Sequence, residues 1–480
     1  MCTKFIPIFF IVSILLITKS FAQKEKIDRY LASCNERGLF NGTALIAKGD
    51  SILFNKGFGL ANREWNIPND VDTRFDIGSL TKQFVTVITL QLVEEGKLNV
   101  DNVISDFLPK YRKDIGDIVN INHLLKHTSG IKPYVAVRGI DNQLAQTLSK
   151  ETALEVLHSG DLEFEPGERY RYNNSGMCIL VYIIEKITKK AFEDNLKERI
   201  FIPLKMKNSG LIKPNKVIEK LASGYILGMG EYTKPKYLNP LNTYGAGGLH
   251  STVEDMFLWN RSFAKHSLLP EKYDEWFYDP YDEFHPGNGH AYSWDITTLQ
   301  LPDTKKKTKF AHYNGAQWGY LCEMAWIFEG DYTILLFTNI GHNNNIWAVE
   351  SGIRNILLNA PYKIPLPSLN SVLAKNLNND TFYKLILDVK NNKTQYSINE
   401  QSINMLGYNL LWRNNLTKAQ LVFELNTKLF SESSNAFDSL GELYMTIGKK
   451  KNAINSFKRS LELNPENKNA KAMLDNLNNK

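Results

Sequence analysis

An α+β fold followed by an all-α tail is the class this chain predicts, and three observations carry it. Strand signals stand at both ends of the first 365 residues, helical patterns lie between them, and strand signals stop near Pro361–Pro367. Strands at both ends with helices between point to terminal segments sharing one antiparallel sheet, with helices packed around it. The expected boundaries are a leader over 1–22, a globular domain over 23–365 and a helical tail over 366–480.

The leader reads as an export signal. Lys4 gives a positive start, and Phe5 to Ile17 is apolar but shorter than the about 20 residues that span a bilayer. Ser20-Phe21-Ala22 is a small-residue cleavage site before Gln23, so cleavage is expected after Ala22. A periplasmic or secreted protein without a stable membrane span follows from that reading. Cys34, Cys178 and Cys322 then remain, an odd and widely spaced set that suggests buried free thiols rather than a disulfide framework. The net charge of +6 falls to near +4 once Lys4 and Lys19 leave with the leader, and no dense basic run appears. Nucleic acid is therefore not expected as a partner.

The first element of the domain is a hairpin. Thr43 to Ala47 is strand-like, Lys48-Gly49-Asp50 turns, and Ser51 to Phe54 returns. Next, Phe75-Asp76-Ile77-Gly78-Ser79-Leu80-Thr81-Lys82 turns into a helix whose apolar face runs through Phe84, Val85, Val87, Ile88, Leu92 and Val93 and stops at Gly96. A second helix is expected over Gly176 to Lys190, after Tyr172-Asn173-Asn174. Leu321 to Phe328 and Tyr332 to Asn339 read as two closing strands around a Glu329-Gly330-Asp331 turn.

The tail carries a 34-residue repeat. Phe437, Leu440, Gly441, Tyr444, Ala453, Phe457 and Pro465 fall on tetratricopeptide offsets, and Leu406, Gly407, Leu411, Ala419 and Phe423 occupy the copy one period earlier. Lys468 to Lys480 is the expected final helix. About two such repeats suggest a tail that packs on the domain or holds a protein partner.

Chemistry concentrates first at Ser79-Leu80-Thr81-Lys82. On a helix, residues three apart share a face, so this serine and lysine can touch. A serine hydroxyl needs an adjacent base or cation to become a good nucleophile. Two fixed residues are too few to carry the argument, because capping serines are common. Tyr172 and Asn174 form a Tyr-x-Asn pair at a loop-to-helix junction, and the neighbouring Arg169 and Arg171 bring positive charge of the kind that favours a phenolate. Asn174 could hydrogen-bond the lysine and a substrate amide. Later, His312-Tyr313-Asn314-Gly315-Ala316 reads as an edge strand at a site mouth, able to lend a backbone N–H to an oxyanion. His123 and His127 are four apart, but the glutamate of a zinc-protease motif is missing; no metal or cofactor is expected, and His127 reads as a loop brace.

These three elements in this order resemble the serine β-lactamase, penicillin-binding-protein and esterase superfamily. Tyr172-Asn173-Asn174 in second place is similar to the class C branch. Asp72-Thr73-Arg74-Phe75, Leu124 to Gly130, Pro203 to Met206 and Gly245-Ala246-Gly247-Gly248-Leu249 match as well. The resemblance spans roughly 30 to 360. It implies an acyl-enzyme on Ser79 with an ester, peptide or lactam, and a small or peptidoglycan-like substrate. It gives Lys82 and Tyr172 the proton, without saying which is the base. It gives substrate binding to Asn174, His312, Tyr313, Gly315 and Ala316, with the amides of Ser79 and Ala316 as the oxyanion hole. The third element departs from the family: Tyr313 stands where Lys or His is usual, and Asn314 where a hydroxyl residue is usual. On a regular strand His312 and Tyr313 face opposite sides, so a bulge would be needed for both to reach the site. The missing lysine weakens carboxylate recognition. A module that acylates and stalls, sensing cell-wall material, is the alternative reading.

Overall fold

A computed structural model describes residues 8–478, apart from 229, 230, 286, 303, 342–344, 378, 379 and 392. The side chains of the leader before Ala22 lie outside the described residues, as does Cys2. The backbone divides into two units: residues 1–226 with 234–364, and residues 365–480 with the segment 227–233.

The first unit is built on an eight-stranded sheet. Its strands are β1 (Gly42–Lys48), β2 (Ser51–Phe58), β3 (Asp282–His285), β4 (Asn288–Ala291), β5 (Trp294–Gln300), β6 (Lys307–Gln317), β7 (Tyr320–Ile327) and β8 (Tyr332–Thr338), in the order β3-β4-β5-β6-β7-β8-β1-β2. β1 lies antiparallel to β8, with Leu45 opposite Leu335, so the two ends of the unit do share one sheet. Both faces are buried, and alternation sorts the side chains. Ala44, Ile46, Ile334 and Leu336 enter one core with helix α1 (Ile8–Glu36), whereas Leu45, Ala47, Leu335 and Phe337 enter the other. Double burial explains why these strands read as apolar runs rather than as alternating patterns. The hairpin β3-β4 and strand β5 have no counterpart among the sequence expectations. β3 and β4 are polar and aromatic and carry no β-branched residue, and β5 offers only the short run Ile296-Thr297-Thr298.

Helix α2 (Thr81–Glu94) crosses the larger core and is buried on nearly every side. Phe84 stacks on Trp259 at 4.0 Å, and the Trp259 indole donates to Gln83 Oε1 at 2.9 Å. The helix ends as the sequence implies. The Gly96 N–H donates to Val93 O and the Lys97 N–H to Leu92 O, a Schellman closure that puts Gly96 at φ +68°. Helix α3 (Asn174–Thr188) starts two residues before its expected start, because the Asn173 side chain caps it by accepting from the Gly176 N–H at 3.2 Å. Helix α4 (Val253–Ala264) supplies Trp259, and α5 (Ile346–Leu357) covers the opposite face of the sheet. Cys34, Cys178 and Cys322 are buried free thiols.

Among the described residues between 369 and 478, the second unit is built mainly of helices. Helices α6 (Glu400–Trp412) and α7 (Leu416–Leu429) repeat, 34 residues on, as α8 (Ser434–Thr446) and α9 (Lys450–Leu463). In each pair a glycine admits a phenylalanine ring: a methyl on Gly407 would meet Phe423 at 2.7 Å, and one on Gly441 would meet Phe457 at 2.6 Å. The place that matches Tyr444 belongs to buried Leu410, not to Leu411, which the repeat pattern had taken. Helix α10 (Lys468–Asn478) closes the chain.

Candidate active site

Ser79 sits in the single 3₁₀ turn Gly78–Leu80 that leads into α2. Gly78 takes φ +50°, and its N–H donates to the Asp76 carboxylate at 2.9 Å. Asp76 is buried, and burial raises its pKa to about 7 against the pull of that N–H. The turn lies directly on β6: a Cβ on Gly78 would fall 2.9 Å from the Ala316 nitrogen.

Three elements meet at the Ser79 hydroxyl. Lys82, one turn on and fully buried, donates from Nζ to Ser79 Oγ at 2.9 Å and to the Ala246 carbonyl at 2.7 Å. Tyr172 donates from its hydroxyl to the same Oγ at 2.7 Å, and the Lys82 ammonium lies 4.9 Å from the centre of its ring. A hydroxyl held between a phenol and an amine has two groups within reach of its proton. The cation at Tyr172 is therefore Lys82, and not the arginines of its own loop: Arg171 pairs with Glu163, and Arg169 lies over the Phe164 ring at 4.7 Å.

The loop that carries Tyr172 is braced by His127. The His127 carbonyl accepts from the Arg171 N–H at 2.8 Å, its Nδ1 from the Asn173 N–H at 3.3 Å, and its ring lies 4.9 Å from that of Tyr172. Burial, then the charge on Lys82, lowers its pKa to about 3, so it braces as a neutral ring. His123 accepts from the Asn120 N–H at its helix start.

A cavity of about 350 Å³ opens beside Ser79. Asn174, Ala246, Gly247, Ala316 and Trp318 line it, together with the apolar Val135, Ile140, Leu144 and Leu238. Asn174 is present but does not hold Lys82. Its Oδ1 is buried without a hydrogen-bond partner, and Ala246, which the sequence reading left without a role, takes the lysine instead. The only signal for Ala246 was the glycine-rich run around it.

The expectations for β6 need correction. β6 is an interior strand, not an edge, but its pairing with β5 ends at Asp295–His312. Beyond His312 that side is open, and the Ser79 turn fills it. His312 faces away from the nucleophile: it stacks on Phe310, and its Nδ1 lies 3.5 Å from Glu323. β6 pairs with β7 without a bulge across these residues, so alternation leaves Tyr313 alone on the Ser79 side. Tyr313 does not reach the cavity either. Its hydroxyl is buried against Tyr172, with Tyr170 nearby. Gly315 contacts the Ser79 turn rather than the cavity. Ala316 is the third-element residue that borders both.

This sheet-and-helix scaffold, with a nucleophile turn laid against an interior strand, defines a serine hydrolase of the β-lactamase-related type. The profile of the family described as Beta-lactamase matches residues 25–354, and the chain belongs to that family. The teichoic acid D-alanine hydrolase of Staphylococcus aureus is 25% identical over 327 residues, covering 67% of this chain and 75% of the relative. The crystal structure of a penicillin binding protein from Bacillus halodurans superposes with a TM-score of 0.57 at 27% identity, over 66% of this chain and 97% of that one. A class C beta-lactamase shares the fold with a TM-score of 0.59 at 17% identity, over 71% and 97% of the two chains.

Proposed function

We propose that this protein is an exported acyl hydrolase that forms an acyl-enzyme on Ser79 with an ester or amide. The observation that carries the reading is the convergence of Lys82 Nζ and Tyr172 OH on Ser79 Oγ at the mouth of an accessible cavity. Ser79 attacks the carbonyl, and the pair Lys82–Tyr172 takes its proton and returns it to the leaving group. The amides of Ser79 and Ala316 receive the oxyanion, and Asn174, with its unpaired Oδ1, orients the acyl group. Water then releases the acid.

The lining favours a substrate without a carboxylate next to the scissile bond. Among the described residues that line the cavity there is no lysine or arginine, and Asp141 is the charged side chain present. That argues for ester or amide hydrolysis over carboxypeptidase or β-lactamase action. It agrees with a relative whose name is teichoic acid D-alanine hydrolase. The leader reading and the cell-wall relatives support export to the periplasm or medium. The 34-residue glycine–phenylalanine match supports tetratricopeptide repeats over 400–463 that hold a protein partner.

The test incubates the protein with a p-nitrophenyl ester and a chromogenic β-lactam beside Ser79→Ala. Steady ester turnover by wild type alone supports the proposal. A single burst followed by silence replaces it with a binding module, and loss of all labelling by a fluorophosphonate removes it.

A further inference from the structure

The first unit holds a second cavity, larger than the one at Ser79. It measures about 740 Å³, and Arg74 and His250 are among the residues that line it. His250 pairs with Asp76 across a short antiparallel ladder, so the cavity and the nucleophile turn share a strand pair.

Its charge is lopsided. Arg74, Lys197, Lys205, Lys207 and Lys216 line it, against Glu193 and Glu219. Glu193 is already committed to Lys213 outside the lining. Among the described residues none of the four lysines makes an ion pair, although nearby Lys213 and Lys220 do. Arg74 is fixed in place, donating to the Asn208 side chain at 2.9 Å and to the Glu219 carbonyl at 3.2 Å, with its Nε buried and unpartnered. His250 is 6% exposed and its Nδ1 has no partner. Burial and the Arg74 charge lower its pKa to about 4, so the ring is neutral and adds no repulsion. Uncompensated cations around one concavity repel each other until an anion enters. Part of the lining is apolar, with Phe201, Met206 and Leu211 inside and Ile202 and Val217 exposed at the rim.

We infer that this cavity is a binding site for a phosphate monoester that carries an apolar group. Phosphate fits better than carboxylate, because it brings nearly two charges and three acceptor oxygens to five cations. Arg74, held by Asn208 and Glu219, adds a fixed positive charge to the wall. The apolar rim takes the substituent. The site is independent of Ser79 chemistry.

The experiment titrates the full-length protein calorimetrically with hexyl phosphate and with inorganic phosphate, and adds a sedimentation arm with phosphatidic acid vesicles. Lys197→Gln/Lys205→Gln/Lys216→Gln alters exposed side chains only, and Lys110→Gln/Lys113→Gln/Lys458→Gln is the charge-matched control. Hexyl phosphate should bind more tightly than inorganic phosphate. The first variant should lose about tenfold or more, the worth of one charge-assisted hydrogen bond, while the control keeps wild-type affinity. Ester hydrolysis should not change in either. Vesicle binding that the first variant loses assigns the ligand to a lipid headgroup, and soluble binding alone assigns it to a free ester. Absence of binding in every arm, equal binding by variant and control, or no preference for the hexyl group overturns the inference.

Discussion

Gly315 on β6 packs so closely on Ile77 that a methyl group in its place would fall 1.8 Å from the Ile77 carbonyl oxygen and 3.0 Å from the Leu80 nitrogen. Both contacts are backbone, so neither can swing aside. Gly315→Ala should push β6 off the nucleophile turn and shift Ala316 relative to Ser79. A displacement near 1 Å costs about 10²-fold in rate. Steady-state kinetics on a p-nitrophenyl ester should show kcat falling by that order, with fluorophosphonate labelling slowed in parallel.

Ser79→Ala should abolish covalent labelling. Lys82→Ala and Tyr172→Phe should each lower kcat/KM by about 10²- to 10⁴-fold, the range for a positioned proton-transfer group. The double variant should cost much less than the product of the singles, because both groups act on one hydroxyl. Full multiplication of the two effects would show that they serve separate steps.

Asp76 gives a pH test with a fixed sign. Burial raises its pKa from 3.8 to about 7, so the folded chain holds this proton more tightly than the unfolded chain does. Its contribution to stability is complete below about pH 4 and is lost as pH rises through about 7. Asp76→Asn keeps an oxygen for the Gly78 N–H and removes the titration. The melting temperature of the variant minus that of wild type should therefore climb between pH 4 and 7 and level off above, as read by calorimetry. A flat difference would place the Asp76 pKa near its ordinary value.

In the tail, Gly441→Ala would set a methyl 2.6 Å from the Phe457 ring, which is fully buried. Overpacking of this kind costs about 1–3 kcal/mol. Amide exchange over 434–463 should accelerate in the variant, while exchange in β1, β7 and β8 stays at wild-type rates.

How much was legible follows from sequence separation. The hairpin, α2 with its Gly96 stop and the two closing strands were readable, since apolar period and turn residues act within a dozen positions. Strands β3 to β5 were not, because they are added outward from β6, β5 on β6, β4 on β5 and β3 on β4, and that pairing places them. The repeat was readable in its glycines and phenylalanines but slipped by one residue at Leu411, where adjacent leucines give no local means of choosing a face.

The sequence by itself determined that Ser79 and Lys82 share a helical face, that Gly96 ends the nucleophile helix, and that His312 and Tyr313 oppose each other. Each of these is set by covalent geometry within a turn or a pleat. Only the tertiary structure decided that Tyr172, 93 positions away, reaches the same oxygen, and that Ala246, 164 positions from Lys82, takes its proton donor instead of Asn174. It alone decided which of His312 and Tyr313 turns toward Ser79, because that depends on which side of β6 the large core fills. Such convergence is a product of packing between distant segments, and no local spacing encodes it.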